Sequence, residues 1–517
     1  MKKQSRDHKE VRKILSHSTI YLFSRYFRIF FDLILGVVVA KFLGPALFGL
    51  RNAFLLGLKY EATSDLGTYN AMVREVPFYR GSEEEEKAER IMTSVFGVNI
   101  FYALFAGTIC ILISLYLRAI HFNALYIDMV FFFGLFIIAN KIKVFYSCKF
   151  IIDKNITVLS RLDVFSGFIS IIICIPLTYY FSLRGLFTGL LIVDLIYIGC
   201  IFLLVRQIPP IRVTLPLVRE LLKIGFPMTI TLLSFTLLTS ADRIIIITML
   251  SEESLGYYGI ATILFFIIYS IPEAVHSIIS PRFMESLGRH KDVHQIKHYF
   301  IDPTILLAYF MPYLLAVFYF AIHVPIQYFL VKYFPSINVV KILTPGFFFG
   351  AVSMLPLFIC YALNKQVRMI IIALPTIMLN LLLNYLFIYS GWGINGVAIG
   401  TDMSFFVFCS LMNWYALKQF NVSIEEYVRF FLLIYAPFFY ASFLIFTIDN
   451  FLIFNADGFW KDIIFTSLKI GIFCLMFSLV FIFVRKHSAF VKLINNVPLI
   501  NSMKGKPTDV ISRQDIS

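Results

Sequence analysis

The feature that most constrains this chain is a succession of fourteen apolar stretches, each about as long as a bilayer is thick, separated by short polar breaks. A spanning helix needs about 20 mostly apolar residues. Runs of that kind cover 18–43, 47–72, 91–117, 125–148, 158–181, 185–205, 221–248, 256–280, 303–330, 337–361, 368–389, 394–417, 428–448 and 463–484. They predict an all-α integral membrane protein of about 14 transmembrane helices. Only 15% of the 517 residues are charged and 59% are hydrophobic, where a soluble domain carries roughly 25% charged residues. Soluble chains of this length split into domains and do not become greasier. The 58 phenylalanines suit helix surfaces that face lipid.

The formal net charge of +14 could suggest nucleic acid, but the placement of the charges argues against it. With the N-terminus inside, 33 of the 45 Lys and Arg fall in cytoplasmic segments, 7 on the opposite side and 5 within helices. That asymmetry follows the positive-inside rule. It predicts a multi-pass protein of the plasma (cytoplasmic) membrane with both termini cytoplasmic and no nucleic-acid partner. The basic excess then faces anionic lipid. Residues 1–17 are polar and basic, a poor signal peptide. The seven cysteines form no CxxC pair and read as packing residues, with no metal site expected. The tail 487–517 is polar and expected to be disordered. Ser82, followed by Glu83–Glu86, is expected to cap the third span's helix at its N-terminus, with the carboxylates at the positive end of the dipole.

Separated landmarks recur at one offset. Gly49 and Gly256 close turns 207 residues apart; Gly185 and Gly393 open spans 208 apart; Asp194 and Asp402 are again 208 apart. The match predicts a duplication, with six-helix bundles at 18–205 and 221–417 joined by a cytoplasmic linker at 206–220. An even number of spans gives both copies one orientation, a common transporter plan. Two additional helices over 428–484 and the tail complete the chain.

The same turns carry a resemblance. Ala40-Lys-Phe-Leu-Gly-Pro-Ala-Leu-Phe-Gly49 and Ser64-Asp-Leu-Gly-Thr-Tyr-Asn-Ala-Met-Val-Arg-Glu-Val-Pro77 resemble the first turn and the second-helix end of polysaccharide flippases. Those flippases, of the lipid-linked oligosaccharide, O-antigen type, belong to the multidrug/oligosaccharidyl-lipid/polysaccharide exporter superfamily. Ile224-Gly-Phe-Pro227, Ser240-Ala-Asp-Arg243, Leu255-Gly-Tyr-Tyr-Gly-Ile-Ala261 and Gly391-Trp-Gly-Ile-Asn-Gly-Val-Ala-Ile-Gly400 extend the likeness through the second half. The resemblance implies two six-helix bundles about a central cavity. It implies a polyprenyl-diphosphate oligosaccharide as cargo, with membrane lipids and other glycan-assembly proteins as partners. The Pro-Asn motif and clustered helix-two arginines of lipid II flippases have no match here.

Such a cargo poses one physical problem. An anionic headgroup must cross roughly 30 Å of hydrocarbon, where an unpaired charge is very unfavourable. Fixed cations deep in the helices remove most of that penalty. Arg25, Arg28 and Asp32 share one face of the first span, with Arg28 and Asp32 four apart. An arginine fork suits phosphate; the other reading is a structural ion pair plus one side chain that snorkels to the interface. Lys59 in span two is a second candidate, or else pairs with Glu61 or Asp65, and Asp65 could instead orient the bend at Gly67. Arg243 in span seven is a cavity cation or an interface anchor; its neighbour Asp242 points elsewhere and should bind it poorly. Glu273 and His276, one turn apart in span eight, are a proton-sensitive pair or a helix contact. Asp194 and Asp402 are intramembrane carboxylates, which suggests a function by default: they bind a coupling proton or sodium ion, or form duplicated packing contacts. No other cofactor is expected.

Four readings compete, one of them a non-transporting scaffold that would leave the buried charges unexplained. Basic candidates in the helices favour a flippase for an anionic lipid-linked glycan. A multidrug or small-cation antiporter of the same superfamily would want acids instead. A membrane glycosyltransferase or polymerase would need a large outer loop for chemistry in water, and the longest ones, near 118–124 and 449–462, are short. No nucleophile and base lie at useful spacing, so no enzyme is expected.

Overall fold

The computed structural model describes residues 2–205, 209–290, 297–363, 365–452 and 458–481, except for the side chains of 2–23, 277, 278, 280–282, 284–290 and 361. The tail 487–517, parts of the 206–220 linker and the end of the last span lie outside the described residues. Fifteen helices follow in chain order. They are α1 (Lys2–Glu61), α2 (Thr68–Gly81), α3 (Glu85–Ala119), α4 (Ala124–Ile152), α5 (Ile156–Leu204), α6 (Leu215–Leu238), α7 (Ala241–Met249) and α8 (Glu252–His290). After them come α9 (His298–Ala321), α10 (His323–Tyr328), α11 (Ser336–Ala362), α12 (Gln366–Tyr389), α13 (Gly393–Lys418), α14 (Ile424–Phe451) and α15 (Phe459–Ser478).

Among the described residues, eleven helical stretches are long and apolar enough to cross a bilayer. Two of these, of 42 and 49 residues, are each double. α1 breaks at Gly44 (φ 74°) and α5 at Ser182 (φ 57°), where the backbone leaves the helical region. Together with α15 the stretches make the fourteen helices of an all-α integral membrane protein. Many large apolar side chains point outward, Leu203 at 85% and Phe446 at 67% exposed among them. A surface like that is stable only against hydrocarbon, so the protein is a multi-pass membrane protein.

Residue pairings give the run of each helix in the first compact unit, the described residues of Met1–Ile263, Phe329–Val339 and Gln366–Thr401. Within α5, a Cβ on Gly185 would lie 1.8 Å from the Leu177 carbonyl oxygen and Gly189 lies against Cys174, so the halves fold back as a hairpin. Arg28 meets Ser166, and Phe42 meets Tyr179, so the first half of α1 runs with the first half of α5. The second half of α1 runs with α4, Phe54 on Phe133 and Glu61 on Lys141. α4 runs with the second half of α5, Phe132 on Phe187 and Lys143 on Asp194. α3 runs against α4, Ser114 on Ile127 and Phe96 on Phe145. The first six spans therefore alternate in direction. A core of Tyr69, Met72, Val95, Phe145, Tyr146 and Ile201 ties α2, α3, α4 and the second half of α5 together.

The repeat-matched turns pack on one another. A Cβ on Gly49 would lie 1.7 Å from the Glu252 carbonyl oxygen, and one on Gly256 would lie 1.9 Å from that of Pro45. No side chain fits at either position. α12 and the start of α13 close a second tight hairpin, Gly396 beneath Phe387 and Asn380 on Thr401.

The second unit comprises the described residues of Leu264–Tyr328, Val340–Lys365 and Asp402–Ser517. Its α9, α14 and α15 share a core of Phe320, Leu444, Ile448, Phe473 and Phe477. Asp449 on α14 accepts from Lys341 at 2.9 Å and Lys469 at 3.3 Å.

Some local expectations need correction. Ser82 does not cap α3. It ends α2, with its Oγ donating to the Phe78 carbonyl at 3.2 Å, and α3 starts after Glu84 without a side-chain cap bond. Glu85 and Glu86 still occupy the first turn. Span two is not continuous: a 3-10 turn at Ala62–Asp65 and the bend at Gly67 (φ 83°) separate α1 from α2. Lys141 and Lys143, counted with the cytoplasmic segment 141–161, lie inside α4, and Lys141 is 1% exposed.

Candidate functional site

The basic candidates of the first unit fall into two groups. In one, Arg28 holds Asp32 through Nε at 3.0 Å, one turn along α1. Its Nη1 donates to Ser166 Oγ at 2.5 Å and to the Asp163 carbonyl at 3.4 Å, both on α5. The pair stays partly open, at 34% and 49% side-chain exposure. Arg25 is exposed on the same helix. The i, i+4 spacing read from the sequence thus produces a pair, and the guanidinium fastens span one to span five.

The second group is built by two helix breaks. At the first, Asp65 accepts the Tyr69 N–H at 3.1 Å and so starts α2 past the bend. Glu61 does not pair with Lys59. Lys141 reaches across from α4 and takes it at 3.0 Å, and also donates to Ser64 Oγ at 2.9 Å. Lys59 is left to turn toward the second break, between α6 and α7. There Thr239 and Ser240 bond back to Phe235 and Thr236 carbonyls, competing with the helix for its own acceptors.

Lys59 Nζ donates to Thr239 Oγ1 at 3.3 Å, and Arg243 Nη2 to the Thr239 carbonyl at 2.8 Å. Tyr60 and Ser240 hydroxyls meet beside them at 2.6 Å. Two cations from separate spans therefore end on one residue. Arg243 is buried, and its Nε lies 3.9 Å from Asp242, the outer limit of an ion pair. As the sequence suggested, the adjacent acid binds it poorly: Asp242 accepts the Arg243 backbone N–H at 2.8 Å and the Tyr258 hydroxyl at 2.5 Å. The C-terminal end of α6 carries about half a negative charge. Against two cations and one carboxylate, the site keeps a positive remainder that suits an anion.

The other candidates separate. Asp194 is ion-paired to Lys143 at 2.6 Å. In the second unit, its repeat counterpart Asp402 accepts the Gly346 N–H at 2.9 Å, and no basic side chain among the described residues lies within ion-pair distance of it. A Cβ on Gly346 would lie 2.2 Å from Asp402 Oδ1, so glycine is what admits the carboxylate. His276 stacks on Phe358 at 3.5 Å between centroids; Glu273 lies one turn before it on α8. No cluster of metal-ligand type occurs among the described residues.

The sequence reading missed Lys141, because it was counted with the cytoplasmic basic residues although the span 125–148 reaches past it, and Thr239, because a threonine among apolar residues carries no signal. Arg51, one of the five basic residues within the predicted helices, was not among the candidates. Its Nη1 donates to Asn52 Oδ1 at 3.1 Å and its guanidinium lies 5.3 Å from the Phe48 ring.

Residues 38–330 match the model of a family described as polysaccharide biosynthesis protein. No curated protein sequence matches the chain. Solved structures do. A lipid II flippase, MurJ, in an inward closed conformation is similar at TM-score 0.63 and 14% identity, covering 90% of this chain and 99% of that one. An inward-facing multidrug resistance MATE family transporter of the MOP superfamily is similar at TM-score 0.62 and 14% identity, over 76% and 94%. A MOP superfamily transporter from Pyrococcus furiosus, noted for reversed polarity of its binding pocket, is similar at 0.55 and 15%, over 79% and 95%. At these identities the likeness is one of fold, and the fold is that of transporters.

Proposed function

The chain belongs to the family of polysaccharide biosynthesis proteins, and on that premise we propose that it flips a polyprenyl-diphosphate-linked oligosaccharide from the cytoplasmic to the outer leaflet by alternating access, for surface polysaccharide assembly. The transporter fold is the ground for reading it as a transporter and not as an enzyme. The supporting observation is the meeting of Lys59 and Arg243 on Thr239. Two cations held on one residue inside a bilayer repel one another. A diphosphate between them turns that repulsion into attraction at both ends. The Thr239, Ser240 and Tyr60 hydroxyls already donate within the site, so the further hydrogen bonds to phosphate come from the N–H groups of the arginine fork that Thr239 does not take.

Arg28 and Arg25 serve in this reading as a second basic station along span one. Asp402 is the preferred coupling group: an intramembrane carboxylate without a basic partner among the described residues takes a proton or sodium ion readily. Asp194, already balanced by Lys143, acts in packing. The duplicated halves 18–205 and 221–417, plasma-membrane residence and cytoplasmic termini belong to the same proposal, with the basic asymmetry of the loops as support.

One observation favours a second reading. Asp402 and the likeness to a MATE family transporter would also suit proton-driven export of organic cations. Reconstitution separates the two. Proteoliposomes holding the purified protein should move a labelled polyprenyl-diphosphate oligosaccharide between leaflets. A charge-assisted hydrogen bond is worth about 1.5–3 kcal/mol, so Lys59→Gln and Arg243→Gln should each slow transport at least ~10-fold. Unaltered rates in both variants, or extrusion of a lipophilic cation with no movement of the glycolipid, would overturn the proposal.

A further inference from the structure

Within the second unit, α13 and α14 leave an open groove of about 910 Å³ between them. Its wall is aromatic and aliphatic, with Phe431, Ala436 and Phe439 along α14. Its charged group lies at one end. Lys418, in the last turn of α13, stands there with its ammonium 5.4 Å from the Trp414 ring centroid. From Ile424 to Phe439 the wall follows α14 over fifteen residue steps, ~22 Å at 1.5 Å per residue. That is more than one leaflet's share of a hydrocarbon core roughly 30 Å thick. The volume is about thirty times the ~30 Å³ of a water molecule. Groups of methylene size in that number make up one or two acyl chains.

We propose that the groove binds one anionic glycerophospholipid, with its phosphate on Lys418 and its acyl chain laid along α14 past Ala436. The shape fits a molecule charged at one end and apolar along its length. The lysine stands in the last turn of α13, at the end of the groove where the phosphate would lie. Tryptophan beside it is the side chain that settles at headgroup depth. A single lysine balances a single phosphodiester charge, whereas a diphosphate brings two or more. The proposal stands on this groove alone and does not depend on the cargo reading.

Full-length protein in phosphatidylcholine nanodiscs doped with phosphatidylglycerol bearing a diazirine on its acyl chain tests it. After irradiation, adducts mapped by mass spectrometry should fall on α14 between Val428 and Phe439. Lys418→Gln should reduce the preference for phosphatidylglycerol over an equally labelled phosphatidylcholine by about fivefold. Ala436→Trp, which obstructs the groove at the point the acyl chain passes, should reduce labelling by both lipids beyond it. An unchanged preference in Lys418→Gln, adducts outside α13 and α14, or displacement of the probe by equimolar polyprenyl phosphate would overturn the assignment; the last would make the occupant an isoprenoid chain.

Discussion

Replacing Lys141 by Met should destabilise this protein far more than replacing Lys141 and Glu61 together. The two charges lie 3.0 Å apart with side chains 1% and 5% exposed. At that separation and an effective dielectric constant near 20, their attraction is about 5 kcal/mol. Most of it offsets the desolvation of two ions, so exchanging both for neutral groups of similar size is close to neutral. Removing one partner leaves the other charge buried and uncompensated, which costs about 3–5 kcal/mol. Lys141→Met strands Glu61 and also leaves Ser64 without the donor it accepts from. At roughly 2 °C per kcal/mol for a large chain, the single variant should lose about 6–10 °C in a thermal aggregation assay in detergent. Lys141→Met with Glu61→Gln should recover most of that loss. The pair also holds the break in span two, two residues from Lys59, so the single variant should slow transport even where folded protein remains. A double variant as unstable as Lys141→Met, or a single variant that melts with the native protein, would refute the reasoning.

Further outcomes follow from the same geometry. Gly49→Val should cost about 1–3 kcal/mol or more through the Glu252 carbonyl, seen as lost monodispersity on size-exclusion chromatography. Gly199→Ala, with nothing within 4 Å, should fold as well as the native chain. Asp402→Asn should keep the Gly346 contact and abolish the dependence of flipping on an imposed proton or sodium gradient; undiminished coupling would return Asp402 to packing. Arg28→Ala should lower flipping about 10-fold; its loss in melting temperature should come mainly from the Ser166 and Asp163 contacts on α5, because an ion pair as open as Arg28–Asp32 contributes under ~1 kcal/mol.

What the sequence made legible was what depends on local composition. Apolar runs of bilayer length gave the fourteen helices, since hydrocarbon demands such runs of any spanning helix. Arg28 and Asp32 were readable as partners because four residues is one helical turn. The partners of Lys59 and Lys141 were not readable, because the contacts cross 180 and 80 positions of sequence. Asp65 offered Lys59 a nearer partner on paper, but the bend at Gly67 turns that carboxylate into a helix cap. The matched acids Asp194 and Asp402 looked equivalent by offset. They differ because Lys143 stands opposite one and Gly346 opposite the other, and a substitution across the interface is invisible in the helix that carries the acid.

Equilibrium binding of a radiolabelled polyprenyl diphosphate to the purified protein, with Lys59→Gln, Arg243→Gln and the double variant beside it, puts the most direct question to the paired cations. Native protein should bind the diphosphate more tightly than the monophosphate. Each single variant should raise Kd at least ~10-fold, since each removes one charged donor from the phosphates, and the double variant should abolish the difference between the two ligands. Equal affinities for all four proteins would mean that Thr239 merely collects two structural contacts and that the anion is held elsewhere or not at all.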